Sequence, residues 1–189
     1  GDLASFANGY LYYGIHRTAD GWVYREWAPG ADALHFMGDF NGWNRESHPM
    51  RRLEGGVWEI YLPGTDALRH GQRVKVVVTR GSQSAERIPA YIFRAVQDET
   101  THAYAGEIWA PAKPFPWTDG GYKKRKINPL YIYECHIGMA QEEEKIGTYD
   151  EFTEKILPRI AADGYNAVQL MAIQEHPYYA SFGYQVTNF

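Results

Sequence analysis

Cysteine is nearly absent from these 189 residues. Cys135 stands alone, which excludes an internal disulfide and fits a reducing compartment. Long apolar runs are missing too. No stretch approaches the ~18 apolar residues of a membrane-crossing helix, and no charged start followed by an apolar segment marks a secretory leader. Charge is close to balanced: 19 Lys and Arg against 23 Asp and Glu give a formal net charge of -4. That balance gives no reason to expect a polyanionic partner and disfavours nucleic acid. With 44% hydrophobic and 22% charged residues, the chain is globular, of one or two domains, and expected in the cytoplasm with no membrane partner.

Aromatics are what the sequence has in excess: 15 Tyr, 8 Phe and 6 Trp. One reading is a β-sandwich core, since aromatics favour strands. The other is carbohydrate recognition by stacking on the apolar faces of sugar rings. Composition alone leaves both open.

After a short amphipathic start (Leu3, Phe6, Tyr10), the first half consists of short β-type runs. These are Trp22–Trp27, Leu34–Met37, Val57–Leu62, Arg73–Val78, Arg87–Val96 and Ile108–Ala110, separated by breakers such as Ala28-Pro29-Gly30 and Pro63-Gly64. Short strands punctuated by Gly, Pro, Asn and Asp predict an antiparallel, immunoglobulin-like β-sandwich over residues 1–110. Residues 111–128, with Pro111, Pro114, Pro116, Gly120 and Gly121, predict a linker. Its basic run, Lys123-Lys124-Arg125-Lys126, is a solvated part of that linker and not a nucleic-acid signal.

The pattern changes again over residues 129–189. Leu130–His136 predicts a strand. Thr148 and Glu151 have capping-box spacing, and Tyr149, Phe152, Ile156, Leu157 and Ile160 follow the helical period up to Asp163-Gly164. Pro158 inside that run is expected to bend the helix or cost it a hydrogen bond. Ala167–Ile173 is nearly continuously apolar and predicts a strand buried on both faces. Strand, helix and strand form one βαβ unit. A loop crowded with Tyr178, Tyr179, Phe182 and Tyr184 follows.

Several strings resemble a known family. Tyr133-Glu134-Cys135-His136-Ile137-Gly138-Met139, Tyr165–Ile173 and Tyr178–Thr187 are similar to the 1,4-α-glucan (glycogen) branching enzymes of glycoside hydrolase family 13. Tyr24–Ala31, Gly38–Pro49 and Arg87–Tyr91 resemble their family 48 carbohydrate-binding module. The resemblance covers essentially the whole chain. It implies a glucan-binding sandwich followed by an incomplete α/β segment, the start of a (β/α)8 TIM-type barrel. It also implies an α-glucan partner, no cofactor and no metal. The family's catalytic carboxylates lie on later barrel strands, so no catalytic residue is expected within residues 1–189, and the chain reads as a truncated portion. Two alternatives remain open: a non-catalytic glucan-binding or regulatory module, and another family 13 enzyme such as a debranching enzyme or trehalohydrolase.

By the same resemblance Tyr184 is the tyrosine that stacks on sugar beside the scissile bond, with His176 and Tyr179 as neighbours in substrate binding. Trp43 matches the Phe-Asn-x-Trp turn of the module, where a glucan contact and plain packing both remain readings. Glu134 and Glu175 are the acids nearest strand ends, and Glu134 is expected to be buried and paired with a basic group. Roughly 60 residues of such a barrel leave strand edges and a helix face without partners. The segment is therefore expected to pack on the sandwich, to associate with another copy, or to be partly disordered.

Overall fold

A computed structural model describes residues 2–123, 126 and 128–188. Lys124 and Arg125 of the basic run lie outside them. The chain divides into two compact units, residues 1–114 with 188–189, and residues 115–187.

The first unit contains the helices α1 (Leu3–Ala7) and α2 (Gly9–Tyr12) and nine strands. These are β1 (Gly14–Arg17), β2 (Gly21–Trp27), β3 (Ala33–Gly38), β4 (Arg51–Arg52), β5 (Val57–Pro63), β6 (Arg73–Arg80), β7 (Gln83–Arg87), β8 (Arg94–Gln97) and β9 (Tyr104–Glu107). One antiparallel sheet has the order β1-β2-β5-β4. The other has the order β3-β6-β9-β8, with β7 also on β6. β6 serves two neighbours on one side: Arg73 and Val74 pair with β9, and Val76–Arg80 pair with β7.

The core lies between the sheets. Trp22 and Tyr24 of β2, Trp58 and Leu62 of β5, Leu34 and Phe36 of β3, and Val74 and Val76 of β6 form one buried cluster. Their two-residue spacing is what a pleated strand with one buried face requires. Full burial of each large apolar side chain stabilises by roughly 1.5–3 kcal/mol.

Glu26 continues the inward row of Trp22 and Tyr24, and is only 6% exposed. A buried carboxylate is tolerated when its lone pairs are filled. Here Oε2 accepts the Tyr24 hydroxyl at 2.8 Å and the Ala90 N–H at 2.9 Å, while Oε1 accepts the Trp27 N–H at 3.1 Å. Burial, then the neighbouring Glu26 charge, pushes the Tyr24 phenol well above its usual range, so it stays a donor.

Three expectations need correction in this unit. The run Arg87–Val96 is not one strand, because the chain leaves β7 at Arg87 and re-enters at Arg94. Pro89 lacks a ladder donor, and the Ala90 N–H is committed to Glu26. The last strand is Tyr104–Glu107, not Ile108–Ala110; Ile108 is a buried anchor whose N–H donates to Gln72 and whose carbonyl accepts from Gly71. The amphipathic start forms α1 and α2 with no buried residue, and Leu3, Phe6 and Tyr10 are exposed.

The second unit is built on β10 (Ile132–His136) and β11 (Ala167–Met171), which pair in parallel from Ile132↔Ala167 to His136↔Met171. Between them run α3 (Tyr149–Glu151), a π-helical turn (Phe152–Ile156) and α4 (Leu157–Ala162). The capping box forms as spaced: Thr148 Oγ1 accepts the Glu151 N–H at 3.2 Å, and Glu151 Oε2 accepts the Thr148 N–H at 3.0 Å. Pro158 falls at the start of α4. The π turn immediately before it lets the ladder widen and restart, so the missing N–H and the bulk of the ring are absorbed at a helix start. Ile137, Phe152 and Ile160 form the core, with Tyr133, Cys135, Ile156 and Val168 packed against them.

β11 is not buried on both faces: Gln169 is exposed and Leu170 is 41% exposed. The apolar run Ala167–Ile173 suits a strand covered on two sides, whereas the core cluster draws only Val168 from it. Glu134 is likewise exposed, and no ion pair forms on it among the described residues.

Two measurements test this account. Glu26→Ala leaves the Tyr24 hydroxyl and the Ala90 amide without an acceptor, so equilibrium denaturation is expected to show a loss of about 3 kcal/mol. Glu26→Gln, which keeps an acceptor, is expected to cost roughly half as much. Glu151 is the second case. Its bonds to Lys145, then to the Thr148 N–H, hold its carboxyl down at about 2, below the ordinary 4.5. A carboxyl depressed in the folded state contributes stability that is present above its unfolded value and lost as pH falls through its folded value. Far-UV circular dichroism is expected to show acid loss of helix between about pH 4.5 and 2, with Glu151→Gln removing that component.

Candidate functional site

Two places gather the side chains singled out by sequence, one in each unit. In the sandwich, the turn after β3 is fixed by its own polar side chains. Asn41 Oδ1 accepts the Gly38 N–H at 3.0 Å, and Asn41 Nδ2 donates to the Asn44 carbonyl and to Ser47 Oγ, each at 3.0 Å. Asp39 uses both carboxylate oxygens, one for the Trp43 indole N–H at 2.9 Å and one for the Arg73 N–H at 2.7 Å. Trp43 sits in the left-handed region at φ 60°, a conformation that costs a bulky residue about 1–3 kcal/mol and persists only where its surroundings impose it. The indole is left 37% exposed, with its N–H occupied and its ring partly open to solvent. Beneath the turn, Phe40 packs on Phe36 with ring centroids 4.8 Å apart.

In the second unit a cleft of about 390 Å³ opens where β10 and β11 end. His136, Gly138, Tyr149, Glu175, His176 and Tyr179 are among its lining residues. This is the carboxyl end of a parallel strand pair, the end at which α/β folds place ligands. The Tyr149 hydroxyl donates to the Ile173 carbonyl at 3.0 Å, and His176 Nδ1 lies 2.9 Å from the Gln174 carbonyl. The rings of His176 and Tyr179 stack 6.4 Å apart at 21°. The loop is compact: a Cβ at Gly138 would lie 2.8 Å from the Tyr179 hydroxyl. One at Gly183 (φ +80°) would meet the Ala172 Cβ at 2.3 Å. Ala172 (φ 57°) and Phe182 (φ 53°) are also left-handed.

Of the residues marked by sequence, the structure brings His176 and Tyr179 together in this cleft. Tyr184 is not among its lining residues and is 83% exposed. Trp43 belongs to the other unit. Glu175 lines the cleft, while Glu134 is exposed on β10. Among the described residues no group of three or more His, Cys, Asp or Glu is placed to hold a metal ion.

His136, which the sequence offers with Glu175 and His176 only as a metal-ligand candidate without recognisable spacing, is a cleft residue not marked there for substrate binding. It closes β10, and its ring meets Tyr179 edge-on at 5.8 Å and Phe182 at 6.3 Å. The available signal was its place as the last residue of the first parallel strand, where side chains face a ligand site.

The family model for carbohydrate-binding module 48 (isoamylase N-terminal domain) matches residues 12–92. The chain is 42% identical over 194 residues to a 1,4-alpha-glucan-branching enzyme of Dictyostelium discoideum, covering 100% of this chain and 28% of that protein. It is 45% identical over 195 residues to that of Emericella nidulans, with the same coverage. Among solved structures, pullulanase type I from Bacillus subtilis complexed with maltose aligns at TM-score 0.65 and 22% identity. That alignment covers 92% of this chain and 26% of the pullulanase, and at such identity it speaks for the fold. Residues 12–92 are thus similar to carbohydrate-binding module 48, and the chain is similar along its whole length to the 1,4-alpha-glucan-branching enzymes, of which it spans a little over a quarter.

Proposed function

We propose that this chain is the N-terminal portion of a glycogen or 1,4-α-glucan branching enzyme. The reading is carried by one observation, the identity to branching enzymes at 42–45% over the full 189 residues. Such an enzyme cleaves an α-1,4 chain by a retaining route and transfers it to a glucan 6-hydroxyl. The retaining route needs a carboxylate nucleophile and a carboxylic acid ~5–5.5 Å apart across the scissile bond. We assign that pair to barrel strands outside residues 1–189. β10, the helix and β11 are then the first βαβ of the barrel, and the cleft at their carboxyl ends is one wall of the sugar site.

In this reading the sandwich holds glucan and the loop after β11 shapes the acceptor and donor subsites. Trp43 offers a ring face kept rigid by Asp39. His176 and Tyr179 present stacked rings to the cleft, and exposed Tyr184 has a free face for a sugar ring. Transfer in place of hydrolysis requires the acceptor to be held close and water displaced, a task suited to flat aromatic walls.

Titration of the 189-residue chain with maltoheptaose, followed by NMR, is expected to show weak saturable binding. Trp43→Ala and Tyr184→Ala are each expected to weaken it about three- to tenfold, the equivalent of roughly 0.5–1.5 kcal/mol of ring stacking. The same polypeptide is expected to leave amylose unbranched; turnover by residues 1–189 alone would overturn the assignment of the carboxylates.

A further inference from the structure

Two side chains of the cleft have spent their donors on the main chain that leaves β11. The Tyr149 hydroxyl donates to the Ile173 carbonyl at 3.0 Å. Burial, then the charge of Glu175, raises that phenol above its ordinary range. Its proton therefore stays in place, and the oxygen offers the cleft only lone pairs. His176 behaves alike. A carbonyl oxygen can only accept, so Nδ1, 2.9 Å from the Gln174 carbonyl, carries the ring proton. In the neutral ring Nε2 is then left as an acceptor.

Glu175 stands between them in the same lining. It is exposed and forms no ion pair among the described residues. No lysine or arginine lines the cleft, so an anionic ligand would find no cation there to pair with. His136 takes no part, because both its ring nitrogens are closed off from solvent.

We propose that Glu175 is a glucan-contacting residue, its carboxylate accepting hydrogen bonds from hydroxyls of a sugar ring in the cleft, beside Tyr149 Oη and His176 Nε2. Acceptors whose own donors are turned away select a ligand that brings donors, and a sugar ring brings several. A carboxylate has two oxygens and about four lone-pair sites, enough for a pair of adjacent hydroxyls. Bonds of this charge-assisted kind are roughly twice as strong as neutral ones. The rings of Tyr149, His176 and Tyr179 supply apolar surface for the C–H faces of the same sugar. The inference rests on the glucan reading above and adds to it the group that engages the hydroxyls.

The test is the wild-type 189-residue chain, isotope-labelled at its glutamate carboxyls and tyrosine rings and titrated with maltoheptaose. The Glu175 carboxyl signal is expected to shift saturably, in step with the Tyr179 ring. Read from that ring, Glu175→Ala is expected to weaken binding about tenfold. Glu175→Gln, which keeps one acceptor and loses the charge, is expected to recover part of the loss. Both variants are expected to keep the wild-type urea midpoint, since the carboxylate is exposed and unpaired. A carboxyl signal that stays fixed while the Tyr179 ring moves would remove Glu175 from the site and leave the glucan reading standing. An alanine variant that binds as tightly as wild type would do the same. A spectrum in which nothing moves at saturating maltoheptaose would remove both.

Discussion

The buried carboxylate of Glu26 is the interaction on which the sandwich closes. A charge in that position is stable only because three donors converge on it, and one of them, the Ala90 amide, comes from 64 residues further along the chain. The bond therefore fixes where the second sheet interrupts itself. It keeps the Pro89–Tyr91 turn against the end of the inward row of β2. The Asn188 side chain reaches the same turn from the opposite polarity, its Nδ2 donating to the Pro89 and Ala90 carbonyls at 3.2 and 3.3 Å. One turn is thus held through both its N–H and its C=O groups.

Much of the sandwich was legible in the sequence because each strand carries its own signal. β2 and β5 were found to within a residue or so at each end, since their alternation is regular and their ends are marked by Pro and Gly. The capping box at Thr148 and Glu151 was equally local and formed as expected. What escaped was set by distant partners. β4 has two residues and exists only as an edge on β5. Glu26 looks like an ordinary charged residue until Ala90 and Tyr24 are placed beside it. The π turn was half foreseen, since Pro158 signals a disturbed ladder, but the turn that relieves it lies in the residues before the proline.

The second unit shows the opposite balance. Its element types and order were clear from periodicity, yet burial was misjudged on both strands. Continuous apolar sequence encodes a strand meant for two covers, and the helix between β10 and β11 supplies one. The candidate site divides in the same way. Aromatic crowding drew attention to Tyr179 and His176, which do meet. Sequence could not show that the lone histidine ending β10 would have both nitrogens shut away from water, a property that belongs to the loop folding over it.

That loop has little freedom to change shape. With Gly183 and Ala172 back to back, and with the Tyr179 hydroxyl set against Gly138, the main chain around the cleft is already at contact distance on two sides. An added methyl group at Gly183 would run into Ala172, and one at Gly138 into the Tyr179 hydroxyl. The chemistry of the cleft wall is therefore set by the side chains that crown the loop, on a main chain whose course the close approaches at Gly138 and Gly183 hold in place.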